Sequence, residues 1–201
     1  MQLVLASASP RRRQILRSAG IPFIARPADV IEAHLPDEPP EAFVKRLAEE
    51  KARAVWRDSE LVLGADTVVV IDKTILGKPA DEDEARRMLR LLSGRTHRVL
   101  TGIALFNGTV ARADVEETVV YFRDLDDLEI ADYAATGEPL DKAGAYGIQG
   151  AASKFVQRIE GCYFNVVGLP VSRVYSCIRS SLRCLERPAG TGDGQSAQPL
   201  R

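Results

Sequence analysis

The stretch LVLGADTVVVID, residues 61–72, decides the fold class. Its apolar, β-branched run is interrupted at Gly64 and Asp66, the pattern of a strand buried on both faces that pauses at a polar site. Working outward, Leu3 to Ala6 form a short apolar strand, after which Ser9 caps a helix that has Pro10 as its first position and Gly20 as its exit. A second helix is expected over about 41–57, with Phe43, Leu47, Ala54 and Val55 on its packing side, and a third over about 83–92, stopped by Ser93 and Gly94. The segments HRVLTGIALF and TVARADVEETVVYF flank Asn107-Gly108, a strong hairpin signal. Beyond them the pattern predicts a helix over about 124–135, a Gly-rich loop over 137–150, a helix at ASKFVQRIEG (152–161) and a last helix from Pro170 to about Cys184. Helices interspersed with strands, plus one hairpin, predict an α/β or α+β chain with a central mixed sheet flanked by helices. No internal repeat or linker divides residues 1–185, so they are expected to be one domain. Residues 186–201 are rich in Pro, Gly, Ser and Gln and are expected to be a disordered tail.

Composition narrows the function classes. The 201 residues are 45% hydrophobic and 27% charged, enough to close one sizeable core. Lys plus Arg number 27 against 28 acidic residues, so broad attraction to nucleic acid or anionic membrane is not expected. No apolar run approaches the roughly 20 residues a bilayer requires, and the N-terminus lacks the order of an export signal, which predicts a cytoplasmic protein. Cys162, Cys177 and Cys184 have neither C-x-x-C spacing nor neighbouring histidines, which argues for a reducing compartment and against a zinc site.

Several positions combine residue types that carry chemistry. ASASPRRR, residues 6–13, places Ser7, Ser9, Arg11, Arg12 and Arg13 around a helix start, whose unpaired N–H groups suit phosphate oxygens. An ordinary Ser-Pro cap followed by a solvated basic turn has the same spacing. Asp66, in GADTVVV, is a carboxylate inside an apolar strand, a position that requires a partner, a metal or a cleft. It is the best candidate to take a proton from water or to bind Mg²⁺, and Thr67 could orient substrate through its hydroxyl. The alternative is a strand-end cap. Glu32 could join Asp66 around a divalent cation or belong to an exposed acidic loop. Lys51 and Lys78 could neutralise phosphate charge or be surface lysines. In DKAGAYGIQG, residues 141–150, Gln149 offers both a donor and an acceptor to a base edge within a loop that could equally be structural. His34, His97 and the cysteines read as structural, and Asn165 in CYFNVVGLP as a loop-positioning or substrate-contacting residue.

In order along the chain, ASASPRRR, Glu32, LAEEK (47–51), GADTVV (64–69), LGKP (76–79), SGRTH (93–97), DKAGAYGIQG and IEGCYFNVVGLP (159–170) resemble the Maf family of nucleotide pyrophosphatases, and more closely its dTTP/UTP branch. The resemblance implies a two-lobed α/β fold with a deep cleft, often dimeric. It implies Asp66 as proton acceptor; Ser7, Arg11, Arg12, Glu32, Lys51, Lys78 and Gln149 in the cleft; Arg12, Thr67 and Gln149 in substrate selection; and Mg²⁺ or Mn²⁺ on Glu32 and Asp66. The implied reaction cleaves dTTP or UTP at the α-phosphorus, with a role in nucleotide-pool sanitation or division arrest. Purine or 7-methyl-GTP hydrolysis, and a noncatalytic septum-binding role, are the alternatives. The expected partners are the nucleotide and a second copy of the chain, with no membrane and no stable nucleic-acid partner. Ile31 departs from the family, whose members often carry Asp before the glutamate, a change that bears on metal affinity.

Overall fold

The protein is described from a computed structural model that covers residues 1–185. The tail expected from residue 186 lies outside the described residues. In chain order the elements are β1 (Gln2–Leu5), α1 (Pro10–Ser18), β2 (Ile24–Ala25), α2 (Pro40–Val55), β3 (Glu60–Ile71), β4 (Thr74–Leu76), α3 (Glu82–Leu92), β5 (Thr96–Phe106), β6 (Ala111–Phe122), α4 (Asp127–Ala135), β7 (Val156–Gly161), α5 (Tyr163–Val167) and α6 (Val171–Leu185). Their strands form one mixed sheet in the order β2-β1-β3-β5-β6-β7, with β4 also on β3. β1 runs parallel to β2 and β3, and the β3-β5-β6-β7 ladder is antiparallel. No described helix is long and apolar enough to cross a membrane.

Local signals set many of these boundaries. The Ser9 side chain accepts from the Arg12 N–H at the start of α1, and Asp81 and Asp126 cap α3 and α4 in the same way. At the hairpin, Asn107 Oδ1 accepts from the N–H groups of Thr109 and Val110, which closes the turn between Phe106 and Ala111.

Two expectations need correction. β3 does not pause at Asp66, because its pairing with β5 continues without a register shift from Val62 to Val70. What stops is its other edge: β1 pairs with residues 60–63 and β4 with 69–71, so residues 64–68 have no strand neighbour on that side. The second correction is at ASKFVQRIEG, where a short 3-10 turn over Ala151–Phe155 leads into strand β7 rather than a helix. Phe155, Val156 and Ile159 fit either period. β6 offers an open edge, and Val120 takes Ile159 as its partner there.

Alternation along β3 sorts side chains between two faces. Val68 and Val70 pack with Phe43, Val44 and Leu47 of α2. Gly64 lies on the same side, and a Cβ there would stand 1.9 Å from the Ala48 carbonyl oxygen. Gly102, the partner of Asp66 on β5, meets α2 equally closely, at 2.2 Å from the Val44 carbonyl oxygen. These two glycines let α2 lie against the sheet at the level of Asp66. Thr67 points to the opposite face, toward α1 and α5.

Candidate active site

The gap on the β3 edge opens into a cleft of about 1430 Å³. It is lined by the α1 start, residues from the 28–38 segment, α2, the middle of β3, the loop after β4 and the 138–150 loop. Ser7, Arg11, Arg12, Glu32, Lys51, Asp66, Thr67, Lys78 and Gln149 all line it. Arg13 does not; it stands one residue past Arg12, about 100° round the helix, which turns it off the cleft side. Six basic and five acidic side chains line the walls, a local positive excess on a chain of net charge -1. Among the acids, Glu38 is already held by Arg46 at 2.7 Å.

Lys51 is the centre of the charge arrangement. α2 projects it toward β3, where its Nζ lies 2.6 Å from Asp66 Oδ1 and 2.5 Å from Glu32 Oε1. Lys51 and Asp66 are each only 7% exposed, so this is a buried pair whose partners depend on each other for charge compensation. The other Asp66 oxygen, Oδ2, has no hydrogen-bond partner among the described residues, and Asp66 lines the cleft. Burial opposes ionisation of Glu32, but Lys51, with Lys78 and Arg12 behind it, outweighs that effect and holds its carboxyl below the usual range. Ile31 beside it is 83% exposed and adds nothing to the cleft wall.

Arg12 occupies the gap in the sheet. It donates to the Ala65 carbonyl at 2.8 Å, to Ser7 Oγ at 3.2 Å, to Thr67 Oγ1 at 2.9 Å and to the Gly168 carbonyl at 2.8 Å. The guanidinium thus satisfies a β3 carbonyl that a strand would otherwise pair. Burial pushes its pKa down against the pull of Asp66 and Glu32, yet arginine remains charged. Arg11 differs from expectation in its partner, since it bonds Asp141 Oδ2 at 2.8 Å and the Asp141 carbonyl at 3.1 Å, which ties α1 to the 138–150 loop. Asp141 as the partner of Arg11, and Thr101 beneath Thr67, carry no local sequence signal.

His97, read as structural, lies 2% exposed beneath the cleft wall, with its Nε2 2.8 Å from the Tyr146 hydroxyl. Burial pushes its pKa from 6.5 down to about 4, so it is neutral near pH 7. The unfolded chain binds a proton at His97 between those two values and the native chain does not, so stability falls as pH drops from 6.5 toward 4. The expected loss is roughly 3 kcal/mol. Urea unfolding at pH 4.5 and pH 7 checks it, because His97→Gln should flatten the difference and an unchanged slope would remove His97 as its source.

Among the described residues no group of three or more His, Cys, Asp or Glu could hold a metal ion. Glu32 and Asp66 nevertheless converge on a single point, since both reach the same ammonium. Two carboxylates suit a cation whose remaining ligands are substrate phosphates and water, the usual arrangement for Mg²⁺.

Fold and site together define an α/β protein whose cleft is lined by Ser7, Arg12, Lys78 and a buried Lys51–Asp66 pair. Residues 2–181 match the family described as Maf-like protein, and the chain belongs to that family. It is 54% identical over 181 residues to the dTTP/UTP pyrophosphatase of Koribacter versatilis (strain Ellin345), covering 89% of this chain and 94% of the relative. It is also 54% identical over 174 residues to the dTTP/UTP pyrophosphatase of Geobacillus sp. (strain WCH70), covering 86% and 94%. Among solved structures, a HAM1 protein from Coxiella burnetii aligns with a TM-score of 0.42 and 19% identity over 61% of this chain and 73% of that one, a likeness too slight to carry an argument.

Proposed function

We infer that the protein hydrolyses dTTP and UTP to the nucleoside monophosphate and pyrophosphate. The observation that carries this is the Lys51–Asp66 pair at 2.6 Å in the gap of the sheet, in the wall of a cleft that Arg12 and Lys78 also line. The names of the relatives at 54% identity support the choice of nucleotide and give no support to 7-methyl-GTP.

In this reaction Asp66 takes the proton of a water whose oxygen bonds to the α-phosphorus, and the bond from that phosphorus to the bridging oxygen breaks to release pyrophosphate. Lys51 holds Asp66 in place, while Arg12 and Lys78 present fixed positive charge to the phosphate oxygens. Glu32 and Asp66 would hold Mg²⁺ or Mn²⁺, which when bound polarises the triphosphate. Gln149 and Thr67 face the substrate and select the base. A two-lobed form, a homodimer and a cytoplasmic location belong to the same proposal, and sedimentation of the purified chain tests the dimer.

Pyrophosphate release is measured on dTTP, UTP, CTP, GTP and 7-methyl-GTP with Mg²⁺ or Mn²⁺. Release should be preferential for dTTP and UTP, lost in EDTA and restored by either cation. Equal release from all five nucleotides would sink the pyrimidine assignment, and no release from any would sink the activity.

A further inference from the structure

A guanidinium has five N–H donors. On Arg12, four are used within the protein: Nε on the Gly168 carbonyl, Nη1 on the Ala65 carbonyl and Ser7 Oγ, and Nη2 on Thr67 Oγ1. All four acceptors are neutral, so the full charge and a single N–H on Nη2 remain for a group in the cleft. The direction of that last N–H follows from the plane of the guanidinium, which all four bonds hold, and the bond nearest to it is the one from the same nitrogen to the Thr67 hydroxyl.

Thr67 Oγ1 lies 2.9 Å from Thr101 Oγ1, and Thr101 Oγ1 lies 3.3 Å from the Asn165 carbonyl oxygen. The Asn165 carbonyl can only accept, so Thr101 donates to it, and a guanidinium can only donate, so the Thr67 hydroxyl accepts from Arg12. The Thr67 proton then goes to Thr101 Oγ1 at 2.9 Å in preference to the Gly168 carbonyl at 3.4 Å, and the bonds run from Arg12 through Thr67 and Thr101 to Asn165. The Asn165 carbonyl also accepts the Gly168 N–H at 2.9 Å, and the carbonyl of that same glycine takes Arg12 Nε. Two routes from one residue thus close on the guanidinium. Asn165 and Thr101 are fully buried, and Asn165 is fixed by its own amide, which donates to the Val99 carbonyl at 2.9 Å and to Thr118 Oγ1 at 3.0 Å.

We propose that Thr101, anchored by Asn165, is a positioning residue that aims the one free N–H of Arg12 at the substrate. The effect on turnover rests on the cleft binding dTTP and UTP as above; the effect on Arg12 itself does not.

Thr101→Val keeps the side-chain volume and removes the hydroxyl, and Thr101→Ser keeps the hydroxyl. In Thr101→Val the KM for dTTP and UTP should rise about tenfold, the equivalent of one charge-assisted hydrogen bond, with kcat changed less than about threefold. Thr101→Ser should return KM to within about twofold of the native value. A merely structural role would lower the melting temperature and the fraction of active enzyme, and so kcat, without moving KM. An unchanged KM in Thr101→Val, or no rescue by serine, overturns the proposal.

The second measurement is hydrogen exchange at Arg12 Nε–H by ¹⁵N NMR, the signal being assigned by its absence in Arg12→Lys. Exchange should quicken about tenfold in Thr101→Val and recover in Thr101→Ser, and an unchanged rate overturns the proposal. If the native chain turns over neither nucleotide, the proposed substrate fails while this measurement still decides the role of Thr101. Thr101→Ala replaces the valine variant if the latter does not fold.

Discussion

Asp66→Asn lowers pyrophosphate release from dTTP and UTP by about 10³-fold, within the range for losing a general base. Asp66 lines the cleft with its Oδ1 engaged by Lys51 at 2.6 Å and its Oδ2 without a hydrogen-bond partner among the described residues. In the asparagine variant a carbonyl oxygen can still accept from Lys51, but an amide nitrogen stands where the proton acceptor was. Nearly the same volume fills the space between β3 and α2 and Lys51 keeps Glu32 as a counter-charge, so circular dichroism should change little and the melting temperature should fall less than in Lys51→Met. Release at the native rate by this variant would remove Asp66 from the base role. If a cellular effect persists in a folded, inactive Asp66→Asn chain, the effect comes from partner binding instead of hydrolysis.

Lys51→Met has the largest expected effect on stability. Its ammonium is the shared partner of Glu32 and Asp66, and without it two carboxylates converge with no counter-charge between them. Breaking a buried pair on one side costs about 3–5 kcal/mol, and half-exposed Glu32 places this case toward the lower end. For a chain of this size that is a fall of roughly 6–12 °C in melting temperature. Activity should be lost as well. Mn²⁺ should raise the melting temperature of the variant more than that of the native chain, because a cation can take the position of the ammonium. A variant as stable as the native protein would show that the two carboxylates do not depend on Lys51.

Much of the architecture was legible because its signals are local. Ser9-Pro10 announces α1, Asn107-Gly108 announces the β5–β6 turn, and the apolar run at 61–72 announces a buried strand. The first and second act through hydrogen bonds between residues two or three apart, which depend on nothing distant. The apolar spacing of β7 suits either period, and only the open edge of β6 chooses the strand over the expected helix. The two-residue β2 and the short α5 carry too few residues for any period to show.

The cleft divides in the same way. Residue types and their order sufficed to single out Ser7, Arg11, Arg12, Glu32, Lys51, Asp66, Thr67, Lys78 and Gln149, and all of them line one cavity. Arg13 adjoins them in sequence, but helical geometry takes it off the cleft side. By itself, then, the sequence determined which residue types stand out as candidates and most of the segments that are strand or helix, since both depend on side-chain identity and near neighbours. Tertiary structure alone decided that Lys51 meets both Glu32 and Asp66, that Arg11 is held by Asp141, and that Arg12 occupies the gap between β1 and β4 above Thr67 and Thr101. Those contacts join residues far apart in the chain, and they form only where packing α2 against Gly64 and Gly102 and ending β1 at Leu5 bring the partners within hydrogen-bond reach.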